Sequence, residues 1–351
     1  MKKILVTGGA GFVGSNLAIG IKKHFADVEV VVLDNLLRRG SELNLSRLSE
    51  FGIGFVHGDV RVLADLDSVG KTDFLIECSA EPSVLAGSDG NPNYVIQTNL
   101  NGAINCAEYC RKYEAGLLFL STSRVYSINN LCDASLTEGE TRFELDADQK
   151  YAGLSQKGVS ESFSTDGFKS FYGASKFSAE NILEEYRQMF DWPVVINRCG
   201  LIAGPWQFGK ADQGIISFWI QAHMTGRNLK YIGFEGNGKQ VRDVIHIQDL
   251  TDLVIEQISS PERFADGVYN VGGGVESSFS LLELTGLCED VTGCKIDIKP
   301  EKTQRYADIP VYLTDCSKIH AASRWKMKFN IEHVVQDVYN WLQENKSVCS
   351  L

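Results

Sequence analysis

Ile4-Leu5-Val6-Thr7-Gly8-Gly9-Ala10-Gly11-Phe12-Val13-Gly14 decides the fold, because an apolar run feeds a Gly-x-x-Gly-x-x-Gly bend that opens directly into a helical pattern. A side chain at Gly8 or Gly11 would keep a pyrophosphate away from the backbone N–H groups, and Gly14 lets the helix press onto the strand. Gly8, Gly11, Phe12, Val13 and Gly14 are therefore expected to cradle a dinucleotide. A second apolar strand, Val28 to Leu33, ends in Asp34, about twenty residues past the last glycine, where an acid for the adenine ribose belongs.

The next segment, Asn35 to Gly40, selects the nicotinamide cofactor. The Asp34 carboxylate can accept from both ribose hydroxyls and repels a 2'-phosphate, which favours NAD. Arg38 and Arg39 bring guanidinium groups that can hold that phosphate, which keeps NADP open. Asn35 and Arg38 join the expected cofactor contacts. A third strand, Phe55 to His57, leads to Asp59 and Val60, an edge for the adenine, with helix capping as the alternative role of Asp59. A fourth, Phe74 to Cys78, runs into Ser79 and Ala80, small residues where backbone can approach the cofactor. Tyr94 to Tyr113 reads as one long amphipathic helix carrying Asn99, a further expected cofactor contact, and Leu117 to Ser121 as the fifth strand. Strands alternating with helices give an α/β, Rossmann-type doubly wound parallel sheet, whose ligands sit at the carboxyl ends of the strands. Thr122, just past the fifth strand, falls there.

Composition narrows the partners. A formal net charge of -11 over 351 residues argues against nucleic acid or an anionic membrane surface. No apolar run approaches the roughly twenty residues needed to span a bilayer. The nine cysteines include no CxxC pair, and Met1-Lys2-Lys3 leads straight into a strand, so the chain reads as cytoplasmic with reduced thiols. Cys106 and Cys110 share a helix face without a further ligand nearby, which points to core packing and to no metal site.

A polar, irregular stretch from Ser127 to Ser170 is either a lid or surface decoration. Phe171-Tyr172-Gly173-Ala174-Ser175-Lys176 then opens a helix that runs to about Phe190. Tyr172 and Lys176 lie on one helical face, so the ammonium is expected to favour the ionised phenol. After a sixth strand, Val194 to Asn197, the loop Arg198 to Gly214 leaves the nucleotide-binding fold. Residues 1–200, completed by about 241–272, are expected to form the NAD-binding domain, with 201–240 and 273–351 as a smaller C-terminal substrate-binding lobe. Arg242 can meet a diphosphate or pair with an acid. Arg305, in a polar loop, is a second phosphate candidate.

With these residues in place, the chain resembles the extended short-chain dehydrogenase/reductase family of nucleotide-sugar epimerases and dehydratases along essentially its whole length, and within it the CDP-paratose 2-epimerases. The matches are Thr7 to Gly14, Leu33-Asp34-Asn35 with Arg38 to Leu45, Pro82-Ser83-Val84, Tyr172 to Lys176, Gly204-Pro205 with Gln207-Phe208-Gly209, Asp212-Gln213-Gly214 and Gly238 to Val244. The long segment before the tyrosine is shared with the 2-epimerases too. The resemblance implies Tyr172 as acid/base, Lys176 as its pKa partner and nicotinamide-ribose ligand, and Thr122 as the hydroxyl on the reacting sugar oxygen. It implies NAD as cofactor and a nucleotide-diphosphate sugar as substrate, with Ser83, Thr122, Gln207, Gln213, Arg242 and Arg305 as expected substrate contacts. It also implies a homodimer or higher homo-oligomer through Tyr94–Tyr113 and Tyr172–Phe190. Family dehydratases follow the threonine with an Asp-Glu pair, whereas Ser123-Arg124 stand here, which disfavours elimination. Glu81 replaces the usual Gln, Leu201 an Asn and Ala203 a Tyr, all around the sugar. A UDP-hexose 4-epimerase and an NADPH-dependent nucleotide-sugar reductase are the alternatives.

Overall fold

Both faces of the first strand are apolar. Ile4 and Val6 enter one buried cluster and Leu5 another, the signature of a strand in the middle of a parallel sheet covered on both sides. The computed structural model, which describes residues 1–88, 90–210, 213–264 and 267–346, places it there. The strands are β1 (Lys3–Thr7), β2 (Glu29–Asp34), β3 (Gly54–His57), β4 (Phe74–Glu77), β5 (Gly116–Thr122), β6 (Val194–Cys199) and β7 (Val268–Val271). They form one seven-stranded sheet in the order β7-β6-β5-β4-β1-β2-β3, every pairing parallel.

One face of the sheet is covered by α1 (Phe12–His24), through Leu17 and Ile21, and by a helix at Ile247–Ser259, through Leu250, Leu253 and Val254. The other is covered by α2 (Gly102–Tyr113) and α3 (Phe171–Phe190). Cys106 and Cys110 pack in that second core beside Ala179 and Leu183. The expected single helix over 94–113 is interrupted: Asn93–Ile96 is helical, Gln97–Asn101 forms a π-turn, and α2 follows. Such wide turns are frequent at functional sites, and this one holds Asn99, which is buried.

Strand Val241–His246 does not complete the central sheet. It pairs with Leu201–Ala203, Ser278–Ser280 and Val311–Tyr312 in a separate four-stranded sheet. Helices Ile215–Thr225, Leu281–Thr292 and Ile331–Glu344 build the third core around Trp219, Leu284, Val338 and Trp341.

Residues 127–170 are neither lid nor decoration. Two small hairpins, Leu136–Glu138 with Phe143–Leu145 and Leu154–Ser155 with Gly158–Val159, set Leu145, Leu154 and Phe163 against Ile309, Val311 and Leu313. Arg142 pairs with Glu283 and donates to Ser278 Oγ at 2.9 Å, and Val159 N–H donates to the Leu313 carbonyl at 2.8 Å. The segment is a buttress behind the loop that carries Arg305. No helix among the described residues is long and apolar enough to cross a membrane.

Candidate active site

A cleft of about 910 Å³ opens at the carboxyl ends of the strands, where the order reverses between β1 and β4. Its floor is the glycine turn. Gly8 has φ +60°, and a Cβ there would come 2.8 Å from the Cys78 carbonyl oxygen; a Cβ at Gly14 would come 2.3 Å from the Gly8 carbonyl oxygen. Gly14 thus presses α1 against the turn itself. The helix begins after Gly11 with no capping side chain and no acid in its first turn. Phe12 and Val13 lie on the wall there, and the uncapped helix start suits a pyrophosphate.

Asp34 closes β2 on the same wall. Its carboxylate accepts from Ala10 N–H at 3.1 Å and Leu36 N–H at 2.8 Å, while Asn44 Nδ2 donates to the Ala10 carbonyl at 2.9 Å, so the acid and the turn brace each other. Burial raises the Asp34 pKa against those hydrogen bonds. Asn35, Arg38 and Val60 line this end with Asp59. Asp59 caps no helix: its carboxylate takes Asn35 Nδ2 at 2.8 Å and the Arg61 guanidinium at 2.6 Å, and the Arg61 hydrogen bonds hold its pKa down at about 2.

At the other end, Ser79, Ala80, Glu81, Thr122, Arg124 and Tyr172 meet. Tyr172 sits in the first turn of α3, which Ser170 caps by accepting from Gly173 N–H. Tyr172 and Thr122 both line the cleft, so the two expected reacting groups are together. Burial pushes the phenol up to about 12, and the Lys176 ammonium pairs with Glu77 at the end of β4, 3.2 Å away.

Two other expected contacts also lie off the wall. Asn99 is buried with its amide spent: Oδ1 accepts from Glu81 N–H at 2.8 Å, and Nδ2 donates to the Glu81 carbonyl at 3.1 Å and to Ser175 Oγ at 3.2 Å. It clamps the loop after β4 to α3. Ser83 is buried and its hydroxyl accepts from Leu85 N–H, which shapes the same loop.

On the substrate side Gln207, Gln213, Arg242 and Arg305 all line the cleft, together with Leu201; Asp212 lies outside the described residues. Gln207 Nε2 is tied to the Ile202 carbonyl at 3.0 Å. Arg242 lines the cleft, pairs with Asp308 at 2.9 Å and donates to the Val241 and Ile309 carbonyls, so the expected pairing with an acid is present. Arg124, which lines the cleft, was missed, since an arginine after Ser123 carries no local signal of a partner.

Residues 4–272 match the NAD dependent epimerase/dehydratase family. The chain is 33% identical to a CDP-paratose 2-epimerase of Salmonella typhi over 97% of this chain and 98% of that one. It is 26% identical to a putative UDP-glucose 4-epimerase of Methanocaldococcus jannaschii over 97% and 99%. Among solved structures it is similar to the UDP-glucose 4-epimerase of Thermus thermophilus in complex with NAD, with a TM-score of 0.78 at 24% identity over 97% and 99% of the two chains. The UDP-glucuronic acid 4-epimerase of Bacillus cereus, in complex with UDP-glucuronic acid and NAD, gives 0.77 at 21% over 97% and 99%. The chain therefore belongs to the NAD dependent epimerase/dehydratase family, in its extended short-chain dehydrogenase/reductase branch of nucleotide-sugar epimerases, and its cofactor is NAD.

Proposed function

We propose that this protein inverts C2 of a CDP-linked deoxyhexose, interconverting CDP-paratose and CDP-tyvelose. The observation that carries the reading is the meeting of Thr122 and Tyr172 on the cleft wall, with Ser123 and Arg124 after the threonine and no acidic pair that would drive elimination. The similarity to the Salmonella typhi enzyme supports the choice of sugar and base.

The uncapped start of α1 suits the dinucleotide pyrophosphate and Asp34 the adenine ribose. NAD, when bound, supplies a hydride acceptor and donor. Tyr172 takes the hydroxyl proton of the sugar carbon being oxidised and returns it at the end, while Thr122 keeps the two oxygens in line. Arg242 and Arg305 hold the diphosphate, a fixed point about which the keto sugar can turn. If it turns before its C–H bond is remade, the centre inverts.

Proton NMR in heavy water tests this. The protein as purified, with no added cofactor, should convert CDP-paratose to a species with a second anomeric signal and no deuterium at C2. Unchanged CDP-paratose overturns the substrate assignment, and conversion of UDP-glucose in the same assay would establish the 4-epimerase alternative.

Asp34→Ala should weaken NAD by about tenfold or more while leaving NADP nearly unchanged, since it removes the ribose acceptor and the charge that repels a 2'-phosphate. Equilibrium binding of both nucleotides reads this. An unchanged preference removes Asp34 from the ribose site. We further propose a homodimer through α3 and the 93–113 helices, where Ile182, Met189 and Phe190 are exposed. Sedimentation should give a dimer, and a monomer disposes of the pairing.

A further inference from the structure

The segment that leaves the nucleotide-binding domain after β6 stays beside the glycine turn. Asn16, in the second turn of α1, donates through Nδ2 to the Phe12 carbonyl at 2.8 Å and to the Pro205 carbonyl at 3.3 Å. A little further on, Phe208 packs on the loop after β2, where a Cβ at Gly40 would come 3.2 Å from its ring. Residues 205–208 therefore run from the start of α1 to the loop after β2, the two places that suit a pyrophosphate and an adenine ribose. Trp206 stands between these anchors, half-buried and on the cleft wall.

The backbone is strained to put it there. Trp206 has φ +73°, a conformation that a bulky side chain adopts only where its surroundings enforce it, and such strain gathers at ligand clamps. Two neighbours hold the ring: the Arg47 guanidinium lies 4.8 Å from its centre and the Trp341 ring 5.7 Å from it. Arg47, on the short helix Asn44–Glu50, is itself fixed to α1, donating to Asn16 Oδ1 at 2.5 Å. It forms no ion pair among the described residues, which leaves the electron-rich indole face to meet its charge.

We propose that Trp206 is a cofactor-site residue, the clasp of a strap formed by residues 205–208 that lies across the dinucleotide and slows its release. The proposal rests on NAD being the cofactor and on nothing about the sugar. Hydride return regenerates NAD in every epimerisation cycle, so the reaction never requires the dinucleotide to leave. A cover that would hinder an enzyme exchanging its cofactor at each turnover costs this one nothing.

The test is exchange of the NAD bound to the protein as purified against isotopically labelled NAD, with melting temperatures measured alongside. Trp206→Gly suits the backbone angle and removes the cover, so exchange should run about tenfold faster than in wild type. Trp206→Phe keeps a ring beneath Arg47 and should stay within about threefold of wild type. Exchange at the wild-type rate in the folded glycine variant overturns the proposal, and a weaker affinity of that variant for CDP would then move the indole to the substrate side. Exchange as fast in Trp206→Phe as in Trp206→Gly overturns it too. Should the glycine variant unfold, Arg47→Met decides alone, since it leaves every residue of the cleft wall in place: exchange about threefold faster supports the clasp, and an unchanged rate overturns it. No sugar is present in the exchange, so an error in the substrate leaves its result intact, and its failure leaves the epimerisation assay standing.

Discussion

Tyr172→Phe is expected to lower turnover by about 10² to 10⁴, the range that positioned proton transfer contributes, while leaving NAD content and stability close to wild type. The substitution removes one oxygen. The ring remains in the first turn of α3, whose cap at Ser170 and packing at Gly173 do not involve the phenol. What disappears is the phenol that stands on the cleft wall beside Thr122, the group that can take a sugar hydroxyl proton there. Thr122→Ala should cost less, because the proton acceptor survives and only its alignment is lost. Rates with a nucleotide sugar, together with NAD released per chain on denaturation, separate lost chemistry from lost cofactor. A Phe variant with more than about a tenth of wild-type turnover takes Tyr172 out of the mechanism.

Tyr172 could be found in the sequence because its signals are local. A glycine turn, an acid closing the second strand, a hydroxyl after the fifth strand and a Tyr and Lys one helical turn apart each need only a few neighbouring residues. The strands were equally legible, since Ile4, Leu5 and Val6 alternate between two apolar faces. Partners far apart in the chain were not. Glu77 meets Lys176 across 99 positions, and nothing in Phe74-Leu75-Ile76-Glu77 states that its acid will neutralise the lysine of a motif read on its own. Asn99 was expected to face the cofactor, and it is buried in the π-turn at Gln97–Asn101 with its amide bound to Glu81 and Ser175, partners distant in the chain. The stretch 127–170 looked unattached because its apolar residues are sparse; they find a core only against 307–313, which the fold brings from the far end of the chain.

Glu180→Ala is expected to destabilise the protein by about 3–5 kcal/mol, the cost of leaving one buried charge without its partner. Glu180 lies one turn beyond Lys176 on α3 and is 3% exposed. Its carboxylate takes Arg198 Nη2 at 2.7 Å and Nε at 3.1 Å, and the Ser121 hydroxyl donates to it. Arg198 Nη1 donates to the Tyr126 oxygen at 3.2 Å, Tyr126 donates to Asn270 Oδ1 at 2.6 Å, and Asn270 Nδ2 reaches the Val159 carbonyl at 2.9 Å. One chain of polar contacts therefore joins α3, β5, β6, β7 and the buttress segment directly behind the reacting pair. Burial alone would lower the Arg198 pKa, and the Glu180 charge reverses this and raises it. Without Glu180 that guanidinium has no acid to offset its desolvation, and Ser121, next to Thr122, loses its anchor. Arg198→Met should cost a comparable amount for the converse reason. The double variant Glu180→Leu with Arg198→Met should be less unstable than the sum of the two, since it removes both charges and refills the space. Urea unfolding measures all three. Single variants that cost under about 1 kcal/mol, or a double variant that is strictly additive, would show that the pair is solvated and that the alignment of Thr122 with Tyr172 depends on β5 and α3 packing alone.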